Sequence, residues 1–273
     1  MSRITGTIKE RLSAGRKLLI PYLVAGDPEL DTSLALMHAL VRAGADIIEL
    51  GMPFSDPSSD GPIIQLAAER ALASGTGLRD VLKLVARFRQ DDDKTPVVLM
   101  GYLNPVEIMG YAAFAEAAAR AGVDGVLLVD LPPTEAAPLA SLLRARDIDT
   151  VFLVAPTTSD RRAASIVEQC SGYLYYISLK GVTGAAISDT QSIQDSMDRL
   201  RRLTSLPVVI GFGIKDAAAA AAMSQLADGV VIGSALVAKI AGLKGQGRPG
   251  EARLTEIVAV IAESRRAMDR AKA

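Results

Sequence analysis

Two carboxylates stand eleven positions apart in surroundings that differ in character. Glu49 lies inside Ile47-Ile48-Glu49-Leu50-Gly51, an apolar run of the kind that forms the end of a buried strand. A carboxylate placed there loses its hydration, which disfavours the charged form and pushes its pKa upward. Such a group can both give and take a proton near neutral pH. Asp60 precedes Gly61-Pro62, and Pro62 suits the first turn of a helix that continues through Ile63, Ile64 and Gln65. The partial positive charge at a helix N-terminus favours ionised Asp60, so the two pKa values are expected to move in opposite directions, as an acid/base pair needs. The spacing is equally compatible with Asp60 as a helix cap and Glu49 as a satisfied buried ion.

A second signal lies toward the C-terminus, where Gly211-Phe212-Gly213 and Gly233-Ser234 each follow an apolar run, the latter opening a helix through Ala235-Leu236-Val237. Backbone N–H groups freed by glycine and aimed from a helix N-terminus hold anions, phosphate above all. Plain turns would use the same glycines. Lys180-Gly181-Val182-Thr183-Gly184-Ala185 begins a stretch without helical patterning to about residue 189, readable as a glycine-hinged lid or as an ordinary exposed connection. Tyr22, Tyr102 and Tyr175 fall at or near strand ends, where three rings facing one pocket would suit a flat aromatic substrate, or would simply pack. His38, the only histidine, sits mid-helix among Leu36, Met37 and Leu40 and reads as structural. A Ser-His-Asp triad and a histidine-based metal site are thereby excluded. Cys170, the only cysteine, excludes an internal disulfide and a cysteine-clustered metal site, so no metal is expected.

These residues need a frame, and the hydrophobic pattern supplies one. Eight short β-rich runs, at 18–25, 47–52, 96–102, 125–131, 150–155, 173–179, 207–212 and 228–232, alternate with Ala- and Leu-rich helical stretches. Most are continuously apolar, as strands buried on both faces should be. Asp31 and Asp216 stand where helices would begin. The expected fold is α/β, a (β/α)8 TIM barrel formed as one domain over residues 1–273, with loops after the strand C-termini carrying the site. No GxGxxG follows the first run, which weighs against a dinucleotide-binding sheet. An extra N-terminal helix over residues 3–15 is expected to cover one end of the barrel. A linker at 242–250 precedes a helix whose apolar stripe is Leu254, Ile257, Val258 and Ile261.

Apolar residues make up 49% and charged residues 22%, enough for a sizeable core under a polar surface, so disorder is set aside. With 30 Lys and Arg against 31 Asp and Glu, no overall field draws in nucleic acid or a membrane, and a phosphate must be held locally. The charged N-terminal segment lacks the apolar core of a secretory signal, and a cytoplasmic protein is expected, or an organellar one only if a transit peptide has been removed.

Together the motifs resemble the tryptophan synthase alpha chain family across nearly the whole barrel. The resemblance rests on Pro21-Tyr22 with Ala25-Gly26-Asp27-Pro28, Glu49 through Pro57 leading to Asp60-Gly61-Pro62, and Met100-Gly101-Tyr102-Leu103-Asn104-Pro105. It continues through Val129-Asp130-Leu131-Pro132-Pro133, Gly181-Val182-Thr183-Gly184, Gly211-Phe212-Gly213-Ile214 and Gly233-Ser234-Ala235. It implies a lyase that cleaves indole-3-glycerol phosphate to indole and glyceraldehyde 3-phosphate without cofactor or metal of its own. On this resemblance Glu49 is the acid/base and Asp60 the carboxylate that holds the indole N–H. Gly184, Gly213, Gly233 and Ser234 would bind phosphate, Thr183 would ride on a closing loop, and Tyr22, Tyr102, Tyr175 and Phe212 would surround the substrate.

A pyridoxal phosphate-dependent beta chain is implied as partner, in an alpha2-beta2 hetero-tetramer, docking on 53–56, Asn104 and 131–133. Ser58-Ser59 stands where the family usually has Leu-Ala, and Val24 where it usually has Thr. Related barrels acting on similar compounds use a strand-end lysine or a cysteine near the first strand. Lys180 and Cys170 fit neither pattern. The competing reading is a catalytically silent subunit that only activates a beta chain.

Overall fold

The computed structural model describes residues 2–177, 187–211, 213–247 and 249–271. The strands are β1 (Leu18–Val24), β2 (Ile48–Gly51), β3 (Val97–Gly101), β4 (Gly125–Leu128), β5 (Asp149–Thr150), β6 (Phe152–Val154), β7 (Leu174–Ile177), β8 (Val208–Gly211) and β9 (Gly229–Ile232). All pair in parallel, in the order β5-β4-β3-β2-β1-β9-β8-β7-β6. The two ends of this sheet are halves of one strand. β5 pairs with β4, β6 pairs with β7, and between them Val151 donates its N–H to Val126 at 2.9 Å. The sheet therefore closes on itself, and the eight expected runs become an eight-stranded barrel whose fifth strand is interrupted at one residue. Several ladders end short of the apolar runs because Met52, Tyr102 and Leu131 are buried in loops that have already left the sheet.

Helices α1 (Arg3–Ser13), α2 (Leu30–Arg42), α3 (Pro62–Ala73), α4 (Leu78–Phe88), α5 (Leu103–Met109), α6 (Tyr111–Ala121), α7 (Ala137–Arg144), α8 (Asp160–Gln169), α9 (Ile187–Leu203), α10 (Ala217–Leu226), α11 (Ser234–Ile240) and α12 (Glu251–Ala271) surround the barrel. None among the described residues is long and apolar enough to cross a membrane. The strand period of two divides the apolar residues into two cores. Leu18, Ile20, Val24, Val98, Leu127, Val209 and Val231 fill the barrel, whereas Leu19, Leu23, Leu99, Val208 and Val230 face the helices. Ile4 and Ile8 of α1 join the inner cluster, so the N-terminal helix does plug one end. Leu254, Ile257, Val258 and Ile261 of α12 are buried on the outer core, with α12 against α10 and α2.

Two helix starts had been expected at aspartates, and they divide. Asp216 caps α10, its side chain accepting from the Ala219 N–H at 2.8 Å. Asp31 is instead the second residue of α2, behind the cap Glu29, and pairs with Arg87 at 2.7 Å. The alanine run of α10 has no other side chain to satisfy its first amides. Asp216→Ala is therefore expected to lower stability by about 1 kcal/mol, read as a shifted urea midpoint at unchanged m-value. An unmoved midpoint would show that this cap contributes nothing.

Candidate active site

The pattern that builds the barrel also turns Glu49 inward. Ile48 and Leu50 lie in the outer core and Ile47 in the inner one, so Glu49, between Ile48 and Leu50, must face the barrel axis. It is 0% exposed. The Tyr173 hydroxyl donates to its Oε1 at 2.7 Å, and Oε2, equally buried, has no hydrogen-bond partner among the described residues. Loss of hydration pushes the pKa up to about 7, with the Tyr173 bond pulling the other way. A carboxyl group half-protonated near neutral pH, with one oxygen anchored and the other open, is equipped to transfer protons through Oε2.

Tyr173 carries no role in the sequence reading, yet period two links it to Tyr175, and both rings belong to the inner cluster. Tyr22 is the parallel-register partner of Glu49 on β1. The rings of Tyr22 and Tyr175 lie across neighbouring strand ends where only glycine leaves room. A Cβ at Gly51 would overlap the Tyr22 hydroxyl, and one at Gly211 the Tyr175 hydroxyl. Burial raises the pKa of Tyr22, Tyr173 and Tyr175 well above the usual phenol range, so all three stay protonated.

Asp60 departs from expectation. The cap of α3 is Gly61, with Pro62 at the first helical position, so Asp60 stands one residue before the cap. Its pKa is raised, by burial first, although the Tyr102 hydroxyl donating to Oδ2 at 2.9 Å lowers it. Desolvation thus outweighs the Tyr102 bond, and both carboxylates shift in the same direction. Tyr102 also corrects the picture of three rings facing one pocket. It stands behind Asp60, stacked on Phe54 at 5.2 Å and accepting from the Ser59 N–H at 3.0 Å. Its own pKa is raised to about 12, chiefly by burial.

Tyr22, Glu49, Asp60, Tyr175, Gly213, Gly233 and Ser234 line one cavity of about 320 Å³ at the C-terminal ends of the strands. Gly213 has φ +80°, a backbone conformation that favours glycine, and Gly233 caps α11. Lys215, which the sequence reading passed over, lines the same cavity and is the only basic residue among the described residues that line it. Thr183, Gly184, Phe212 and nearly all of the expected lid lie outside the described residues. A second hollow of about 480 Å³, with Asp130, Thr157 and Arg162 in its wall, is lined by neither Glu49 nor Asp60.

The sequence from residue 8 to 266 matches the family model described as tryptophan synthase alpha chain. The chain belongs to the tryptophan synthase alpha chain family. Members of this family are the lyase subunits that produce indole and glyceraldehyde 3-phosphate. The tryptophan synthase alpha chain of Marinobacter nauticus is 59% identical over 241 residues, covering 88% of this chain and 89% of that one. That of Thioalkalivibrio sulfidiphilus is 54% identical over 269 residues, covering 98% and 100%. The crystal structure of tryptophan synthase subunit alpha from Legionella pneumophila superposes with a TM-score of 0.90 at 40% identity, covering 99% of both chains. An aminoacrylate-bound tryptophan synthase from Mycobacterium tuberculosis gives 0.85 at 35% identity, over 98% of this chain and 100% of that one.

The two departures from the usual tryptophan synthase alpha chain pattern leave the carboxylates in place. Ser58 and Ser59 are exposed, and Ser59 acts on the Tyr102 hydroxyl through its backbone N–H, a bond any residue could make, and also through its side chain. Val24 is buried in the inner cluster, where a methyl group replaces the usual hydroxyl and leaves nothing polar to satisfy.

Proposed function

We propose that this chain cleaves indole-3-glycerol phosphate by a retro-aldol reaction with Glu49 and Asp60 as its catalytic carboxylates. The observation that carries the reading is the buried Oε2 of Glu49, without a hydrogen-bond partner among the described residues, in a cavity that also holds Asp60 and a glycine- and serine-lined rim. Protonated Glu49 gives its proton to the indole ring carbon bonded to the glycerol chain, and positive charge develops toward the ring nitrogen. Asp60 accepts a hydrogen bond from the indole N–H and stabilises that charge. Glu49, now ionised, takes the proton from the adjacent glycerol hydroxyl. The carbon–carbon bond breaks, its electron pair returns to the ring, and the hydroxyl carbon becomes the aldehyde. Glu49 ends in its starting state, so the step needs no external acid, base or redox partner.

Tyr22 and Tyr175 flank the indole, with Phe212 and, behind Asp60, Tyr102 completing its surroundings. Gly184, Gly213, Gly233 and Ser234 hold the phosphate, and Thr183 belongs to the loop that closes over it. Lys215 adds a cation at the same rim, where the dianion would otherwise meet two carboxylates. Lys215→Ala is expected to raise KM several-fold with kcat little changed, since an exposed charge contributes mainly uniform binding. The rise should shrink at high salt. A loss confined to kcat would remove Lys215 from the binding role.

A beta chain carrying pyridoxal phosphate receives the indole in an alpha2-beta2 assembly. The docking surface runs from Pro53 to Asp56 and Asn104, around a hollow of about 490 Å³ that Leu72 and an 80% exposed Ile108 also border. It continues to 131–133. A face of this apolarity on one chain suits coverage by a partner. The balanced charge and single buried cysteine support work in the cytoplasm. The test is indole released from indole-3-glycerol phosphate by purified chain, with and without a beta chain. Release supports the reading. Stimulation of a beta chain without any release would identify a silent activating subunit instead.

A further inference from the structure

The turn that carries Asp60 has few anchors of its own. Ser58 N–H reaches Asp56 O at 2.8 Å and Asp60 N–H reaches Pro57 O at 3.0 Å, both inside the turn. The cap residue Gly61 has no side chain to tie turn to helix. That link is made from the helix side by Gln65, whose Nε2 donates to Asp60 O at 2.9 Å and, more weakly, to Pro57 O at 3.4 Å. Both neighbours are carbonyl oxygens, which only accept, so the amide must present its NH2 here. The helix behind Gln65 is held firmly. Ile64, Ala67 and Ala71 are buried, and Arg70 grips Asp27 with two bonds of 2.7 and 2.8 Å.

We infer that Gln65 is a positioning residue for Asp60, hanging the 57–60 turn from α3 so that the Asp60 carboxylate meets the Tyr102 hydroxyl and faces the cavity. The catalytic weight of this role rests on the lyase reading, but its structural content does not. Among the described residues, the titratable groups around the Asp60 carboxylate are Tyr102 at the end of β3, Tyr22 on β1, Glu49 on β2 and Lys215 at the rim. No hydrogen bond or ion pair joins Gln65 to any of them among the described residues, so it acts on Asp60 through the backbone. Without its donor the turn slackens and the Tyr102 bond weakens. That bond favours ionised Asp60, so its loss raises the Asp60 pKa.

The test compares the full chain with Gln65→Met, which keeps length and removes the donor, and Gln65→Glu, which turns an anion toward two carbonyl oxygens. The half-buried position lets both variants fold without disturbing the core. Two quantities are read: kcat and KM for indole-3-glycerol phosphate, and the Asp60 titration by carboxyl 13C NMR, assigned with Asp60→Asn. In Gln65→Met kcat should fall about tenfold with KM nearly constant, as for one lost hydrogen bond, and the Asp60 pKa should move up. Gln65→Glu should show larger changes of the same sign. An Asp60 titration identical in wild type and both variants overturns the inference, whatever the melting temperatures do. A wild type that releases no indole overturns the lyase reading instead and leaves the titration to decide the role of Gln65.

Discussion

Glu49→Gln is expected to reduce indole release by about 10²–10⁴-fold while making the protein more stable above neutral pH. Both effects come from the same burial. The folded chain holds the Glu49 proton up to about pH 7, against 4.5 for an unperturbed glutamate. Folded protein therefore binds this proton more tightly than unfolded protein does. The stabilising contribution is complete below pH 4.5, declines between 4.5 and 7, and is gone above 7. Integrated over that window, the decline is on the order of 3 kcal/mol. Glutamine does not titrate and its carbonyl can still accept from Tyr173, so the variant lacks the decline. Urea midpoints at pH 5 and pH 8 should diverge between the two proteins, with the variant ahead at pH 8. Parallel pH dependences would mean that Glu49 titrates like an ordinary surface glutamate, and its assignment as the acid/base would fall with them.

Such a residue is visible in sequence because its neighbours are so apolar. Ile47, Ile48 and Leu50 declare a strand buried on both faces, and an acid within it has nowhere hydrated to go. The same continuity made the eight strands legible, as well as the plug formed by Ile4 and Ile8 and the stripe on α12. What stayed hidden depends on contacts between distant elements. Val151 interrupts the fifth strand, although the run there is as apolar as its neighbours. Tyr173 reaches Glu49 across the barrel from 124 positions away, and only the alternation with Tyr175 hinted at its direction. The helix following Asp60 was foreseen with its Pro62 start. The electrostatic consequence was not, because a residue one position before the cap gains little from the helix terminus while the packing of Tyr102 and Phe54 around it removes water. Tyr102, which the spacing of strand ends suggests as a third ring of one pocket, lies instead against Phe54 and donates to Asp60.

Asp60→Asn should lower kcat by about 10²–10³-fold, the usual loss when one preorganised charge or dipole is removed from a developing transition-state charge. The geometry should survive, since the Tyr102 hydroxyl can donate to the amide oxygen as it does to Oδ2. On the proposed mechanism, what is lost is the negative charge opposite the indole nitrogen, where positive charge appears only as the ring carbon is protonated. KM should therefore change far less than kcat. Because burial raises the Asp60 pKa, wild-type activity should fall with decreasing pH through a value above the ordinary aspartate range, and this acid limb should vanish in the variant. Asp60→Glu separates charge from placement. It keeps the carboxylate but moves it by one methylene, and a displacement of about 1 Å alone can cost roughly 10²-fold. If Asn retained near-normal kcat while Glu lost activity, Asp60 would be a structural part of its turn and the ring charge would have to be met elsewhere. If both fall and only Glu keeps an acid limb, charge and position are each required, and the Tyr102 and Gln65 bonds that fix this carboxylate become part of the catalytic apparatus.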